Sequence, residues 1–144
     1  MILVTGGCGF IGSNFILDWL ATRDEATVNV DVLTYAANPA TLVSLKDDPR
    51  YAFERADICD RTAMDAVIAQ YQPRAIVHFA AESHVDRSIH GPMDFVRTNV
   101  MGTATLLEAS RTHWNALPEA EAKDRKSTRL NSSHPRLSRM PSSA

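Results

Sequence analysis

The stretch that decides the fold is Met1-Ile2-Leu3-Val4-Thr5-Gly6-Gly7-Cys8-Gly9-Phe10-Ile11-Gly12, at the start of the chain. Residues 1–5 are a short apolar run that ends at glycines, which is the pattern of a buried strand. From Phe10 to Leu20 the apolar residues recur at intervals of three and four, the pattern of an amphipathic helix. The sequence therefore opens with a predicted strand, a tight glycine turn and a predicted helix.

The glycine spacing in this turn fits a dinucleotide-binding loop. Gly7-x-Gly9-x-x-Gly12 matches the common fingerprint, and Gly6-x-x-Gly9-x-x-Gly12 matches a known variant of it. Glycine permits the tight turn and lets a pyrophosphate approach the backbone, while Gly12 lets the helix pack closely on the strand. The helix N-terminus then offers free N–H groups and a partial positive charge to the phosphates. The alternative is a tight strand-to-helix turn that holds no ligand.

Two acidic residues follow predicted strands. Asp31 closes the second strand about 20 residues after the loop, where an acidic residue accepts hydrogen bonds from an adenosine ribose. A carboxylate there would repel a 2′-phosphate, which favours NAD over NADP. The alternative for Asp31 is a strand-end aspartate that caps a turn. Asp57-Ile58 ends the third strand, where the adenine edge would lie, although aspartate also commonly starts turns.

The remaining chain alternates predicted strands and helices. Strands are predicted at 28–32, 51–56 and 75–81, and helices at 39–45, 61–71 and 93–114, with Asp60 as a helix cap. This alternation predicts an α/β fold with a doubly wound parallel sheet of the Rossmann type, truncated after about four strands. In the last helix, the apolar residues expected in the core are Phe95, Met101, Leu106 and Leu107.

Composition narrows the class of protein. The chain has 144 residues, enough for one domain, and its formal net charge of -2 argues against nucleic-acid binding. It contains no apolar run of the ~20 residues that a membrane span needs, and its start has no basic region typical of a signal peptide. We therefore expect a cytoplasmic protein in which Cys8 and Cys59 are reduced, and their spacing predicts no metal site.

The composition changes near the end of the chain. Beyond Asp124 there are five basic residues and no acidic ones, so residues 1–123 carry 10 basic and 16 acidic residues, a net of 10 − 16 = -6. Asp124 to His134 and Ser138 to Ala144 resemble, in order and in frame, the two ends of a translated sequencing-library adapter. We therefore expect a partial NAD-binding domain at 1–123 and a disordered, artefactual tail at 124–144. The alternative is a natural disordered linker.

Several motifs together resemble the dTDP-glucose 4,6-dehydratases, which are extended short-chain dehydrogenases. The stretch from Glu82 to Ser88 is the most specific, because related sugar epimerases and decarboxylases differ there. The resemblance spans Met1 to Lys123 and rests on Thr5-Gly6-x-x-Gly9-x-x-Gly12, Asp31-x-Leu33-Thr34-Tyr35-Ala36, Asp57-Ile58-Cys59-Asp60, Ala80-Ala81-Glu82-Ser83-His84-Val85-Asp86-Arg87-Ser88 and Asn99-x-x-Gly102-Thr103.

The resemblance implies a site for NAD and, beside it, for a nucleotide-sugar substrate. The implied cofactor residues are Gly6, Gly9, Phe10, Ile11 and Gly12 at the pyrophosphate, Asp31, Val32, Leu33 and Thr34 around the ribose, Asp57 and Ile58 at the adenine, Phe79, Ala80, Ala81 and Ser83 at the nicotinamide, and Thr98 beneath the cofactor. The implied substrate residues are Ser83, His84 and Asp86. Val32 departs from the family, which usually has lysine there. The alternative is that Glu82, Asp86 and Arg87 form a solvated ion-pair cluster and His84 is an ordinary loop histidine.

The resemblance also implies a reaction whose catalytic residues this chain does not contain. The family converts dTDP-glucose to dTDP-4-keto-6-deoxyglucose and water through transient hydride transfer to NAD, and uses a Tyr-x-x-x-Lys pair and a Thr-Asp-Glu stretch. Four residues after the three tyrosines, Tyr35, Tyr51 and Tyr71, come Pro39, Arg55 and Ala75. We therefore assign no catalytic residue and expect the chain alone to be inactive.

Further expectations concern assembly and rival functions. An incomplete sheet exposes an edge and an apolar face, so we expect marginal stability and a tendency to aggregate. The complete enzyme of this family is expected to be a homodimer that serves deoxysugar synthesis. Two other functions stay open from the sequence: the NAD-binding part of another nucleotide-sugar epimerase or dehydratase, and a non-catalytic NAD-binding module.

Overall fold

A parallel sheet forms the centre of the molecule. In the computed structural model, which describes residues 1–83, 92–118 and 129–130, the strands are β1 (Ile2–Thr5), β2 (Thr27–Asp31), β3 (Tyr51–Arg55), β4 (Ala75–His78) and β5 (Arg129–Leu130). Their order is β3-β2-β1-β4-β5, and all neighbours are parallel. All four residues of β1 are buried, because this strand is paired on both sides. The order reverses beside β1, which creates a topological switch point between β1 and β4.

Helices connect the strands. They are α1 (Phe10–Thr22), a 3-10 helix (Pro39–Leu45), α2 (Arg61–Tyr71), α3 (Pro92–Val96), a π-helical segment (Arg97–Gly102) and α4 (Thr103–Asn115). The last three follow one another without a break, where the sequence predicted one long helix. The prediction of that helix is confirmed, but its π-helical interior has no counterpart in the sequence pattern.

The core lies on both faces of the sheet because successive side chains of β1 point in opposite directions. Leu3 packs with residues of β2, β4, α2 and α4, including Val28 and Leu106. Ile2 and Val4 belong to a second cluster on the other face, which includes residues of α1 and the 3-10 helix. The α/β, doubly wound architecture predicted from the sequence is therefore confirmed.

Local signals fix the ends of α2. The Asp60 carboxylate accepts a hydrogen bond from the Ala63 amide at 3.0 Å, as predicted for a helix cap. At the other end Gln72 adopts a left-handed conformation with φ 43°, and Pro73 follows. The chain then enters β4 directly, which places residues 79–83 above the carboxyl edge of the sheet.

The core residues predicted for the helix at 93–114 are partly wrong. Leu106 is buried, but Met101 and Leu107 are 58% and 42% exposed. The prediction assumed an uninterrupted period of 3.6 residues, and the π-helical segment changes that period. Residues beyond the segment are consequently rotated relative to the predicted stripe.

The predicted tail contributes one described element. Arg129 and Leu130 pair with Val77 and His78 as the two-residue β5, alongside the four longer strands. The predicted boundary between residues 123 and 124 lies outside the described residues, so it stays a prediction. Within the described ranges, no helix has both the length and the hydropathy that a bilayer crossing requires.

Candidate functional site

The glycine turn after β1 brings backbone atoms too close for a Cβ at two of its positions. Gly6 has φ +68°, and a Cβ there would lie 2.4 Å from the Ala80 nitrogen. A Cβ on Gly12 would lie 2.3 Å from the Gly6 carbonyl oxygen. At Gly9 the nearest atom is the same oxygen at 3.3 Å. Gly6 and Gly12 therefore set the fold of the turn, whereas Gly9 borders open space.

The N-terminus of α1 follows this turn. No side chain caps the helix at Gly9, and its first turn carries no acidic residue. The large apolar side chains of Phe10 and Ile11 are 85% and 53% exposed there. Amide groups of an uncapped first turn can bind an anion such as a diphosphate.

The Asp31 carboxylate lies at the end of β2 and is almost fully buried. Its Oδ2 accepts a hydrogen bond from the Cys8 amide at 2.9 Å, and its Oδ1 accepts one from the Leu33 amide at 2.8 Å. Leu33 has φ 61°, so the carboxylate also stabilises a strained turn. An ionised carboxylate has about four acceptor positions. Two remain, so Asp31 can cap the turn and still bind hydroxyl groups.

Asp57 occupies the corresponding position after β3. Its Oδ1 accepts a hydrogen bond from the Cys59 amide at 2.8 Å, and its Oδ2 is 3.0 Å from the guanidinium of Arg97. The next residue, Ile58, is buried, and a Cβ on Gly102 would lie 2.6 Å from its Cδ1. The loop after β3 is therefore packed directly against the π-helical segment.

The carboxyl ends of β1 to β4 border a cavity of about 310 Å³, a size within the range of small-molecule sites. Eleven residues predicted for the cofactor line it: Gly6, Gly9, Asp31, Val32, Thr34, Asp57, Ile58, Phe79, Ala80, Ala81 and Thr98. The other five predicted residues do not line it: Phe10, Ile11, Gly12, Leu33 and Ser83. The structure thus brings together residues from the ends of four strands and from the last helix.

Sequence reasoning missed some of the lining residues. They are Val30, Ala36, Ala37, Ala56, Glu82, Asp94 and Arg97. Among the described lining residues Arg97 is the basic one, and four are acidic: Asp31, Asp57, Glu82 and Asp94. The signal available in the sequence was its position next to Thr98, which the resemblance had placed at the cofactor.

The substrate side of the predicted site is described only in part. Ser83 is exposed, and His84 and Asp86 lie outside the described residues. The preceding residue, Glu82, is fixed by Asn99, whose Oδ1 accepts from the Glu82 amide and whose Nδ2 donates to the Glu82 carbonyl, both at 2.9 Å. This pair of hydrogen bonds ties the loop after β4 to the π-helical segment.

A buried histidine lies behind the cavity. His78, the last residue of β4, has its Nδ1 2.6 Å from the Thr5 hydroxyl and its Nε2 3.1 Å from the Thr103 hydroxyl. Burial lowers the pKa of His78, because desolvation disfavours the imidazolium form. The imidazole is therefore held neutral between two hydroxyl groups.

These features define a class. A parallel α/β sheet with a glycine turn at its switch point, an uncapped helix N-terminus and a buried carboxylate after β2 is a dinucleotide-binding domain of the Rossmann type. The family model for GDP-mannose 4,6 dehydratase matches residues 3–131. The chain belongs to this family.

Individual relatives give a more specific similarity than the family model does. The chain is 54% identical over 122 residues to a dTDP-glucose 4,6-dehydratase of Shigella flexneri, an alignment that covers 85% of this chain and 34% of the relative. It is 55% identical over 116 residues to dTDP-glucose 4,6-dehydratase 1 of Escherichia coli K12, covering 81% of this chain and 32% of the relative. The chain thus spans about a third of the length of these relatives.

Solved structures show the same arrangement. A dTDP-glucose 4,6-dehydratase from Streptomyces venezuelae, solved with NAD and TYD bound, is 45% identical with a TM-score of 0.73, covering 78% of this chain and 36% of that one. A UDP-glucose 4-epimerase from Thermus thermophilus, solved with NAD, is 30% identical with a TM-score of 0.69, covering 78% of this chain and 34% of that one.

Proposed function

We propose that the chain is the NAD-binding part of a dTDP-glucose 4,6-dehydratase. The observation that carries the proposal is the hydrogen bond from the Cys8 amide to the Asp31 carboxylate, which joins the glycine turn to the cavity residue that would bind the ribose. The reaction of the complete protein would convert dTDP-glucose to dTDP-4-keto-6-deoxyglucose and water. NAD would supply the acceptor and later the donor of a hydride.

The described residues fit such a dinucleotide in three places. The amides at the start of α1 and the crowded turn at Gly6 and Gly12 leave room for a diphosphate but not for additional side chains. Asp31 has two free acceptor positions for ribose hydroxyls. Asp57 and Ile58 line the cavity just after β3, the strand next to β2, where an adenine would lie.

The same carboxylate favours NAD over NADP. Asp31 is almost fully buried and already accepts two amide hydrogen bonds, so its carboxylate is fixed in place. A 2′-phosphate on the ribose would bring like charges together in a poorly solvated position. The exposed Val32 next to it offers no cation to offset this repulsion.

A dehydratase is favoured over an epimerase by the pattern of identities. Among the solved structures, dTDP-glucose 4,6-dehydratases are 38–45% identical to the chain, whereas UDP-glucose 4-epimerases are 28–34% identical. We assign Ser83, His84 and Asp86 to the nucleotide sugar, because they come directly after the cavity residues that follow β4 in sequence. The alternative is another nucleotide-sugar epimerase or dehydratase.

We further propose that the chain does not catalyse the reaction by itself. None of its three tyrosines is followed four residues later by lysine, so the Tyr-x-x-x-Lys pair of the family is absent. We place the boundary of the partial domain at residue 123 and treat residues 124–144 as a foreign tail, although the family match continues to residue 131. A non-catalytic NAD-binding module is the second candidate, and it would require that tail to be genuine.

The expected setting of the complete protein follows from the same assignment. We propose a cytoplasmic homodimer that binds a nucleotide sugar and has neither a nucleic-acid nor a membrane partner. Exposed apolar side chains of α3 and the π-helical segment support a subunit contact. Met93, Val100 and Met101 are each more than half exposed.

A chimera tests the proposal. We would join residues 1–123 to the remaining two-thirds of the Shigella flexneri relative and compare this protein with the 144-residue chain. Titration calorimetry should detect NAD binding by the chimera, and only the chimera should dehydrate dTDP-glucose. A folded chimera that binds no NAD would overturn the proposed function, and dTDP-glucose turnover by the 144-residue chain would overturn the predicted inactivity.

A further inference from the structure

We propose that His78 is a positioning residue, which holds the π-helical segment over the cavity through the Thr103 hydroxyl and so sets the geometry of the cofactor site. The proposal rests on the proposed NAD-binding function. His78 itself does not line the cavity. Its effect on the cofactor is therefore argued through the residues to which it is hydrogen-bonded.

A continuous series of hydrogen bonds connects β1 to the last helix. The Thr5 hydroxyl lies 2.6 Å from His78 Nδ1, and His78 Nε2 lies 3.1 Å from the Thr103 hydroxyl. That hydroxyl in turn donates to the Asn99 carbonyl at 2.7 Å. Asn99 then holds both backbone groups of Glu82.

The protons in this series can be assigned by counting donors. A threonine hydroxyl has one hydrogen, and that of Thr103 is used on the Asn99 carbonyl. Thr103 can then only accept from His78, so the proton of the neutral imidazole lies on Nε2. Nδ1 is left as the acceptor, and the Thr5 hydroxyl donates to it. Every bond in the series thus runs in one direction, from Thr5 to Asn99.

Both ends of the series directly neighbour cavity residues in sequence, Thr5 next to Gly6 and Asn99 next to Thr98. Thr5 directly precedes Gly6, whose strained turn lies against Ala80. At the other end, the π-helical segment contributes Arg97 and Thr98 to the cavity lining. A change in the middle of the series would therefore alter the distance between two walls of the same site.

The polar contacts around His78 call for an explanation beyond packing. Buried polar side chains stabilise a fold little more than apolar ones of the same shape, yet they are costly when a partner is lost. A leucine or phenylalanine would fill the end of β4 without this risk. The imidazole instead fixes one turn of a π helix. This conformation is rare in proteins, and where it occurs it is often at a functional site.

The first test separates positioning from stability. Thr103→Val removes the hydroxyl but keeps the shape, and Thr103→Ser keeps the hydroxyl. The matched control is Ser110→Ala, because the buried Ser110 hydroxyl makes the same type of bond to the Leu106 carbonyl, at 2.7 Å, further along the same helix. NAD affinity and thermal stability are measured for each variant of the 144-residue chain.

We expect Thr103→Val to weaken NAD binding about five- to tenfold, the effect of one lost hydrogen bond. Thr103→Ser should restore the affinity, and Ser110→Ala should lower stability without changing affinity. Equal affinities for Thr103→Val and Ser110→Ala would overturn the proposal. If the unsubstituted chain binds no NAD, the same variants are compared in the chimera, and absence of NAD binding by the folded chimera would contradict the proposed function itself.

The second test needs no cofactor and no variant. Nitrogen-15 NMR of the histidine side chains should show His78 as the neutral tautomer protonated on Nε2 at neutral pH. The tautomer protonated on Nδ1 would overturn the series of bonds, and would do so whether or not the chain binds NAD. If Thr103→Val does not fold, this measurement still tests the series of bonds on which the proposal depends.

Discussion

The Cys8 amide donates a hydrogen bond of 2.9 Å to the Asp31 carboxylate, which connects the glycine turn after β1 with the end of the neighbouring β2. The two residues are 23 positions apart in sequence. The same carboxylate accepts from the Leu33 amide, so one side chain fixes both the turn and the chain that leaves β2. The Asp31 side chain therefore stabilises the fold independently of any role in binding.

This double role predicts that Asp31→Asn lowers both stability and cofactor affinity. One of the two amides would face an N–H donor instead of an oxygen, which should reduce the free energy of unfolding by about 1–3 kcal/mol. NAD binding should weaken about tenfold or more, and the preference for NAD over NADP should decrease. Urea unfolding and calorimetry measure the two effects.

Asp24→Asn is the matched control, because the Asp24 side chain is fully exposed. Asp24→Asn should change neither the free energy of unfolding nor the affinity for NAD. Should Asp31→Asn retain the full preference for NAD over NADP, the assignment of the ribose position to Asp31 would be wrong.

Two glycines of the turn should respond differently to the same substitution. Gly12→Ala places a Cβ 2.3 Å from the Gly6 carbonyl oxygen, so we expect a loss of about 1–3 kcal/mol in the free energy of unfolding. Gly9 has φ -77°, which alanine also adopts, and its Cβ would meet only one atom, at 3.3 Å. Gly9→Ala should therefore fold with less than about 1 kcal/mol of destabilisation but bind NAD more weakly.

Each of these variants serves as the control for the other. Thermal unfolding should separate Gly12→Ala from the unsubstituted chain, and calorimetry should separate Gly9→Ala from it. An unchanged NAD affinity in Gly9→Ala would mean that the diphosphate does not lie at this part of the turn.

The glycine turn, the strand-helix alternation and the position of Asp31 at the end of β2 could be predicted because they depend on residues close together in sequence. Arg97 could not, because its contact with Asp57 spans 40 positions and requires the packing of the last helix on the loop after β3. Thr5 and His78 are 73 positions apart, and only the register of β1 with β4 brings them together. The π-helical segment has no periodic signature, so the exposure of Met101 and Leu107 was mispredicted.

Arg97→Gln should weaken NAD binding without destabilising the fold. Its guanidinium is 3.0 Å from Asp57, but the side chain is 64% exposed, and such surface pairs stabilise proteins little. Among the described lining residues it is the cation beside four carboxylates, so its loss should reduce affinity for an anionic dinucleotide about two- to fivefold at low salt.

The control for this change is Arg111→Gln. Arg111 makes a comparable exposed pair with Glu108, also at 3.0 Å, on α4 and away from the cavity. Arg111→Gln should bind NAD with the same affinity as the unsubstituted chain. If both variants bind NAD equally well at low and high salt, Arg97 does not act on the cofactor.

The pH dependence of stability should reveal the buried His78. Burial lowers its pKa below the value of about 6.5 that an unfolded histidine has. Between these two values the unfolded chain binds a proton that the folded chain does not, so the free energy of unfolding must fall as the pH falls. The full contribution is present above about pH 6.5, the unfolded value, and is lost progressively below it.

His78→Gln removes this proton uptake. The glutamine supplies a side-chain amide that can still take part in hydrogen bonds. Urea unfolding of both proteins between about pH 7.5 and 5 should therefore give a steeper decline for the unsubstituted chain than for the variant. The difference between the two curves isolates His78, because the other four histidines and all carboxylates are common to both proteins. Parallel curves would show that His78 is protonated as easily in the folded chain as in the unfolded one, and the neutral imidazole between Thr5 and Thr103 would have to be abandoned.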